Sequence, residues 1–182
     1  MGALQLHIEL QDIRPKVWRR VLVPETITLV HLHLVIQRAF QWGGHHLHEF
    51  EGADGQRYGT SDPDYDPPGS VRSERTRFTS AMVSGKLDYL HDFGDDWRHR
   101  IKLEKTLGPL PGMTLPQCVG GANAAPPDDC GGEPGYMDFV QAMSDPSHAE
   151  HDDMKAWIGR DAWDPAAFDL HEINTWLAEI KL

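Results

Sequence analysis

KLDYLHDFGDDWRHRIKLE, residues 86–104, decides the fold because it contains two strands and the turn between them. Beyond the turn, apolar or aromatic side chains alternate with charged ones, which is the pattern of a strand with one buried face. The inward set is Trp97, His99, Ile101 and Leu103, and the outward set is Arg98, Arg100, Lys102 and Glu104. We predict an antiparallel hairpin with Trp97 and Ile101 buried and the two arginines exposed.

Two further hairpins and a helix precede this stretch. Alternation in LQLHIEL (residues 4–10) and RRVLVP (residues 19–24) predicts the first hairpin, and HLHEFEGADGQRYG (residues 46–59) predicts the second. Between them, residues 28–44 carry apolar positions at helical spacing, with Thr28 as a candidate N-cap and a Gly-Gly stop.

The rest of the chain alternates between loops and helices. Residues 61–69 are rich in Asp, Pro and Gly and predict an exposed loop, and residues 108–135 hold 13 Gly or Pro in 28 positions, so this long loop is a candidate lid. Three helical signals follow, with Ser147 and Asp164 as caps of the last two. We predict an α+β fold, in which antiparallel hairpins form a sheet with helices packed on it.

The composition is that of one folded domain spanning residues 1–182, with 40% hydrophobic and 25% charged residues. There is no apolar run of about 20 residues and the chain starts with an alternating pattern, so we expect no membrane span, no signal peptide and a cytoplasmic location. The net charge is −11, and residues 106–182 hold 13 Asp or Glu against 3 Lys or Arg. This acidity argues against a large nonspecific nucleic-acid interface.

The turn and its neighbours form the candidate pocket. Strand alternation turns His99 inward and puts His48 on the apolar side of its strand, on the same face as His46. In one interpretation, His48, His99 and Asp92 converge on a divalent metal ion. In the other, Asp92 caps a structural turn, Gly94 supplies a positive φ, and each histidine makes a buried hydrogen bond. The full candidate set is His48, Asp92, Asp95, Asp96, Trp97 and His99.

Two weaker metal candidates lie further along the chain. Cys118 and Cys130 stand in the Gly-rich segment without the paired Cys-x-x-Cys units of a zinc ribbon, so packed free thiols are the alternative to a shared metal site. His148, His151 and Asp152 have the spacing of one helix face, which suits either a ligand set or a solvated surface.

RPKVWRR is the most basic stretch of the sequence. Arg14, Lys16, Arg19 and Arg20 are candidates for contact with a protein or nucleic-acid partner. The alternative is a solvated hairpin.

Six stretches, in this order and spacing, resemble the plasmid pRiA4b ORF-3-like family: WRRVLVP, HLHEF, YLHDFGDDWRHRIKLE, CVGG to PPDDCGG, GYMDF and FDLHEIN. The family is also described as a transposon-passenger, TnpR-like group, and the resemblance implies an association with bacterial mobile elements. His91 is a departure, since the family more often has Tyr there.

Two functions remain open at this point. The first is a noncatalytic binding or accessory module of a mobile element, which requires no cofactor. The alternative is a metal-dependent hydrolase or nuclease that uses His48, His99 and the Asp92 to Asp96 turn, with the long loop as a lid. The metal content of the purified protein distinguishes the two.

Overall fold

A computed structural model describes residues 2–60, 64, 66–83 and 85–181, and within them lie eight strands and five helices. The strands are Ala3–Leu10 (β1), Trp18–Pro24 (β2), His48–Gly52 (β3), Arg57–Gly59 (β4), Val71–Arg72 (β5), Leu87–His91 (β6), Trp97–Leu107 (β7) and Gln117–Ala122 (β8). The helices are Leu29–Ala39 (α1), Phe78–Ala81 (α2), Gly132–Ser144 (α3), His151–Ile158 (α4) and Leu170–Leu177 (α5). The predicted loop over residues 61–69 falls partly outside the described residues.

The strands form one sheet in the order β5-β4-β3-β6-β7-β1-β2-β8. All three predicted hairpins are present as the antiparallel pairs β1/β2, β3/β4 and β6/β7, and β7 joins the two halves by pairing with β1. The α+β class is confirmed. The sheet is largely antiparallel but mixed, because β4 and β5 run parallel.

The core lies on one face of this sheet. Alternate residues of β1 and β2, such as Leu6, Ile8 and Val21, are fully buried and pack with the apolar stripe of α1, which includes Leu32 and Ile36. Burying a side chain of this size contributes about 1.5 to 3 kcal/mol. The apolar stripe of α1 therefore packs on the inward face of the first hairpin, and this packing stabilises the helix.

The opposite face of β7 and its neighbours carries charged side chains in contact with solvent. Arg98 is exposed, and Arg100 is half-buried because it pairs with Asp88 across the strands at 3.0 Å. Trp97 and Ile101 are buried as predicted. Leu103 differs from the inward set because it is 38% exposed, opposite a shift of register in β1.

The Gly/Pro-rich segment is not a single loop, because it contains β8 and the first residues of α3. β8 pairs with β2 at the edge of the sheet. Its glycines permit close packing: a Cβ at Gly121 would lie 2.4 Å from the Phe168 ring. Glycine in this strand therefore makes room for an aromatic ring instead of marking a turn.

Thr28 takes the predicted N-cap position of α1, without a side-chain hydrogen bond, whereas the predicted caps of the last two helices are displaced. α4 begins at His151 instead of following Ser147, and α5 begins after Asp169, whose Oδ1 accepts from the backbone N–H groups of the second and third residues beyond it. Asp164 makes a similar bond to Ala166 N at 2.9 Å, but this bond closes only a turn. Each aspartate accepts a hydrogen bond from the backbone N–H two residues further on, so this local bond does not decide which of them begins the helix. Packing against the rest of the fold decides it.

Candidate functional site

The turn between β6 and β7 is held by its own backbone and by Asp92. Asp92 Oδ1 accepts a hydrogen bond from Gly94 N at 2.9 Å, and the Asp92 carbonyl accepts one from Asp96 N at 2.7 Å. The prediction of a positive φ at Gly94 is wrong, because the left-handed residues are Asp92 (φ 56°) and Asp96 (φ 58°). Aspartate tolerates this conformation because its short side chain bonds nearby backbone groups.

His99 lies inside the core, 0% exposed, next to two aromatic rings. Its ring meets Phe40 and Trp42 edge to face, and its Nδ1 donates to the Trp97 carbonyl at 3.1 Å. Its Nε2 has no hydrogen-bond partner of good geometry among the described atoms. Burial lowers the pKa of His99 to about 3, and His91 adds to this shift, so the ring is neutral at physiological pH.

Two stacked histidines, one from α1 and one from β3, lie in contact with each other. The His33 and His48 rings stack with centroids 3.6 Å apart, and His48 Nε2 contacts Glu74 Oε2 at 2.9 Å. Burial lowers the pKa of His33 to about 3. The pKa of His48 is also lowered by burial, although the Glu74 carboxylate opposes the shift.

Polar groups connect this pair to β6. Tyr89 OH contacts His33 Nδ1 at 2.8 Å and accepts from Gln37 Nε2 at 2.9 Å, and Gln37 Nε2 also lies 3.2 Å from His91 Nδ1. His91 is 0% exposed and stacks on Trp42. His33, His91 and His99, the buried histidines, therefore belong to the packed interior of the sheet.

The structure does not bring the predicted ligands together as one set. Within the described ranges, one group of at least three His, Cys, Asp or Glu residues presents ligand atoms within 4.8 Å of one another, and it consists of His46, Asp92 and Asp129. Of the predicted metal set, only Asp92 belongs to this group. His48 is instead engaged with Glu74, as described above.

The two other aspartates of the turn have separate partners. Asp95 Oδ2 accepts from Gly131 N at 3.1 Å, which ties the turn to the start of α3. Asp96 pairs with exposed Arg98 at 2.9 Å. Both residues have structural contacts in this arrangement.

In the described part of the chain, the weaker candidates do not form a group of three ligand atoms within 4.8 Å either. Cys118 is buried with its Sγ directed at the Gly120 carbonyl, and burial raises the pKa of its thiol. Burial raises the pKa of Cys130 to about 12, so both thiols stay protonated. His148 precedes α4, and His151 is half-buried because its Nδ1 contacts the Ala142 carbonyl at 2.8 Å.

The basic stretch does not form one surface patch. Arg19 is 1% exposed: its guanidinium donates to three backbone carbonyls and lies 5.1 Å from the centroids of two aromatic rings. The carbonyls belong to Trp18, Ala39 and Ala122, and the rings to Phe40 and Phe168. Lys16 pairs with Glu9, and Arg20 with Glu104. Arg19 is therefore a structural residue, which corrects its assignment as a contact residue.

A cleft near the C-terminus was not found from the sequence. It has a volume of about 440 Å³ and is bordered by the segment after β8, by α4 and by α5. Its lining includes four aromatic and four acidic side chains and a single cation, Arg160: Phe40, Trp157, Trp163 and Trp176 with Asp128, Asp164, Asp169 and Glu172. We refer to it as the C-terminal cleft.

The sequence does contain a signal for this cleft. Three of the six tryptophans lie between residues 157 and 176, in the acidic part of the chain. Trp157 is 46% exposed, which is high for so large an apolar side chain. Trp157 and Trp163 both pack edge to face on Phe139 of α3, which gives them a common support.

The fold defines a class of small α+β proteins with one mixed sheet that is covered by helices on one face. The family described as plasmid pRiA4b ORF-3-like protein matches residues 2–172, and this chain belongs to that family. The uncharacterized protein y4hQ of Sinorhizobium fredii is 36% identical over 176 residues, which cover 95% of this chain and 89% of that protein. The crystal structure of a protein of unknown function, MM3350 from Methanosarcina mazei Go1, is similar with a TM-score of 0.82 and 33% identity, covering 93% of this chain and 96% of that one.

Neither relative's name states an activity. In the described part of the chain, no helix combines the length and the apolar character needed to cross a bilayer.

Proposed function

We propose that the chain is a noncatalytic binding module, an accessory protein of a mobile element, whose C-terminal cleft receives a Lys- or Arg-rich segment of a protein partner. The observation that carries this proposal is the lining of the cleft, where three tryptophans stand among four carboxylates. The description of the matching family, which names a plasmid reading frame, supports the association with a mobile element.

The chemistry of the cleft favours a cation on an extended side chain. A cation over an indole ring gains about 0.5 to 1 kcal/mol at an exposed site, and more where water is excluded. One ring of the lining already makes such a contact outside the cleft, where the Arg38 guanidinium lies 5.7 Å from the Trp176 ring centroid. Carboxylates beside the rings add electrostatic attraction for the same cation. The charge of −10 over residues 106–182 also steers a basic partner toward this part of the molecule.

The size of the cleft is compatible with a few residues of a partner. Binding pockets typically measure about 300 to 1,000 Å³, and tryptophan is among the residue types that carry most of the binding energy in protein interfaces. A phosphate backbone would meet an excess of negative charge here. A basic protein segment is therefore the favoured partner over nucleic acid.

The placement of the histidines supports the noncatalytic part of the proposal. A general base has to reach its substrate, yet His99 is fully buried and neutral. His48, the other imidazole of the hydrolase alternative, is held by Glu74 and stacked on His33.

The proposal is tested with a Lys/Arg-rich peptide of about 12 residues, a Glu-rich peptide of equal length and a short DNA duplex. Titrations are followed by the indole N–H signals in two-dimensional NMR, because the cleft tryptophans report on occupancy directly. We expect saturable binding of the basic peptide alone, with shifts at Trp157, Trp163 and Trp176 and none at Trp18, which stacks on His7 outside the cleft lining.

A matched pair of variants separates the cleft from net charge. Glu172→Gln removes a carboxylate of the cleft, and Glu133→Gln removes one outside it; both residues are exposed and lie in the first turn of a helix. We expect a two- to fivefold loss of affinity, about 0.5 to 1 kcal/mol, for Glu172→Gln only. Equal losses in the two variants, no binding, or preferential binding of the duplex would overturn the proposal.

A further inference from the structure

Three segments that are distant in sequence meet at the end of the β6–β7 hairpin. His46 precedes β3, Asp92 opens the turn, and Asp129 lies between β8 and α3. His46 Nδ1 is 3.4 Å from Asp92 Oδ2, and His46 Nε2 is 3.3 Å from Asp129 Oδ1. We infer that His46, Asp92 and Asp129 form a binding site for a divalent transition-metal ion.

The spacing of the donor atoms is suitable for such an ion. One donor atom from each residue lies within 4.8 Å of the other two. Ligand atoms around a metal with bonds of about 2.1 Å are separated by roughly 3.0 to 4.2 Å. The two aspartates face different nitrogens of His46, so one of them has to rotate to share an ion with a single nitrogen. Asp129 is the most exposed of the three, with 70% of its side chain accessible, and is free to make such a rotation.

A buried nitrogen beside these residues provides an independent observation. His91 is 0% exposed, and its Nε2 has no described hydrogen-bond partner within 3.5 Å. This nitrogen points toward the same loop, with Asp128 Oδ1 at 3.6 Å, and its ring lies edge to face with His46 at 5.5 Å. Buried imidazole nitrogens usually have a close partner, and this one has only the long contact to Asp128, which leaves room for a further polar ligand on the side of the loop.

The donor set selects the kind of ion. One imidazole and two carboxylates suit zinc or manganese, and the two negative charges balance a divalent cation. Magnesium and calcium prefer sites made of oxygen alone. The remaining coordination positions face solvent through Asp129 and are filled by water.

The consequence of binding is local. An ion at this position links the β6–β7 turn to the segment between β8 and α3, which Asp128 already ties to Gly43 N at 2.7 Å. The ion stabilises the contact between these two segments. It does not coordinate His48 or His99.

The site is tested with chelator-treated full-length protein and ZnCl2 or MnCl2 in isothermal titration calorimetry. We expect about one equivalent to bind per chain and the melting temperature to rise with metal concentration, because the ion binds only the folded state. His46→Asn and Asp129→Asn should each weaken binding at least tenfold. Asp129→Asn keeps the test valid if His46→Asn does not fold, since Asp129 is exposed.

The controls are two exposed residues of the same types elsewhere, His171→Asn and Asp153→Asn. They should leave the affinity and the stoichiometry unchanged. The inference is overturned by an absence of saturable binding at millimolar metal, or by binding that persists undiminished in His46→Asn and Asp129→Asn. No peptide enters this experiment, so its result does not depend on the function proposed for the C-terminal cleft.

Discussion

In the buried histidines and the C-terminal cleft the usual distribution of side chains is reversed, because polar side chains lie inside and large apolar ones lie at the surface. His33, His91 and His99 are titratable, yet they lie in the packed interior, whereas Trp157 is 46% exposed to solvent. Histidine inside the core cannot meet a substrate, and tryptophan at the surface loses apolar burial. The difference indicates that the histidines serve stability and that the tryptophans serve binding.

The largest expected effect is the response of the buried histidines to acid. Burial lowers the pKa values of His33 and His99 from 6.5 to about 3. Below 6.5 the unfolded chain takes up two protons that the folded chain does not, so stability falls as the pH drops toward 3. Between about pH 7 and about pH 5 this amounts to about 4 kcal/mol in the free energy of unfolding.

The measurement is urea denaturation of the wild type and of His99→Leu across this pH range. Groups that do not contact His99 titrate equally in the two proteins, so the variant should lose roughly half of the histidine contribution to the slope. Parallel curves for the two proteins would show that His99 carries no such shift.

The next largest effect separates two neighbouring arginines. Arg19→Ala is expected to lower the free energy of unfolding by about 3 kcal/mol, because it leaves three backbone carbonyls and two ring faces without their cation. Arg20→Ala breaks an exposed pair with Glu104 and should cost less than about 1 kcal/mol. Chemical denaturation at neutral pH checks both, and similar losses would mean that burial does not distinguish them.

A smaller loss is expected for His99→Ala, about 2 kcal/mol, since the variant removes the bond to the Trp97 carbonyl and leaves a cavity between aromatic rings. His99→Leu should recover part of this loss, because the unpartnered Nε2 disappears while volume is kept. His171→Ala, at an exposed position, should change stability by less than about 0.5 kcal/mol. A loss for His99→Ala no greater than that of His171→Ala would contradict a structural role.

The hairpins were predictable because their information is local. Alternation along β7 is enough to place Trp97 and Ile101 inside and Arg98 outside, whatever the rest of the fold. The strand β8 was missed because Gly121 follows from the position of Phe168, which lies 47 residues away in the chain. A glycine in sequence looks the same whether it serves a turn or makes room for a ring.

The candidate site was harder to predict because it depends on long-range contact. Asp92 was identified from the turn, but its neighbours His46 and Asp129 are brought to it by the order of strands in the sheet. The sequence spacing between these three residues does not form a metal-binding motif. His99 was correctly placed inward, yet its separation from His48 required knowledge of what each ring packs against.

The smallest expected effect concerns Trp157, which tests the other half of the comparison. Trp157→Ala should lower the free energy of unfolding by only about 1 to 2 kcal/mol, because nearly half of the side chain is exposed and only the rest loses apolar burial. The same variant should weaken binding of the basic peptide about three- to fivefold, and Trp157→Phe should restore part of it, because a phenyl ring retains a weaker attraction for cations. Denaturation and titration of the same samples separate the two effects. A stability loss above about 2 kcal/mol with unchanged affinity would place Trp157 with the buried histidines as a structural residue.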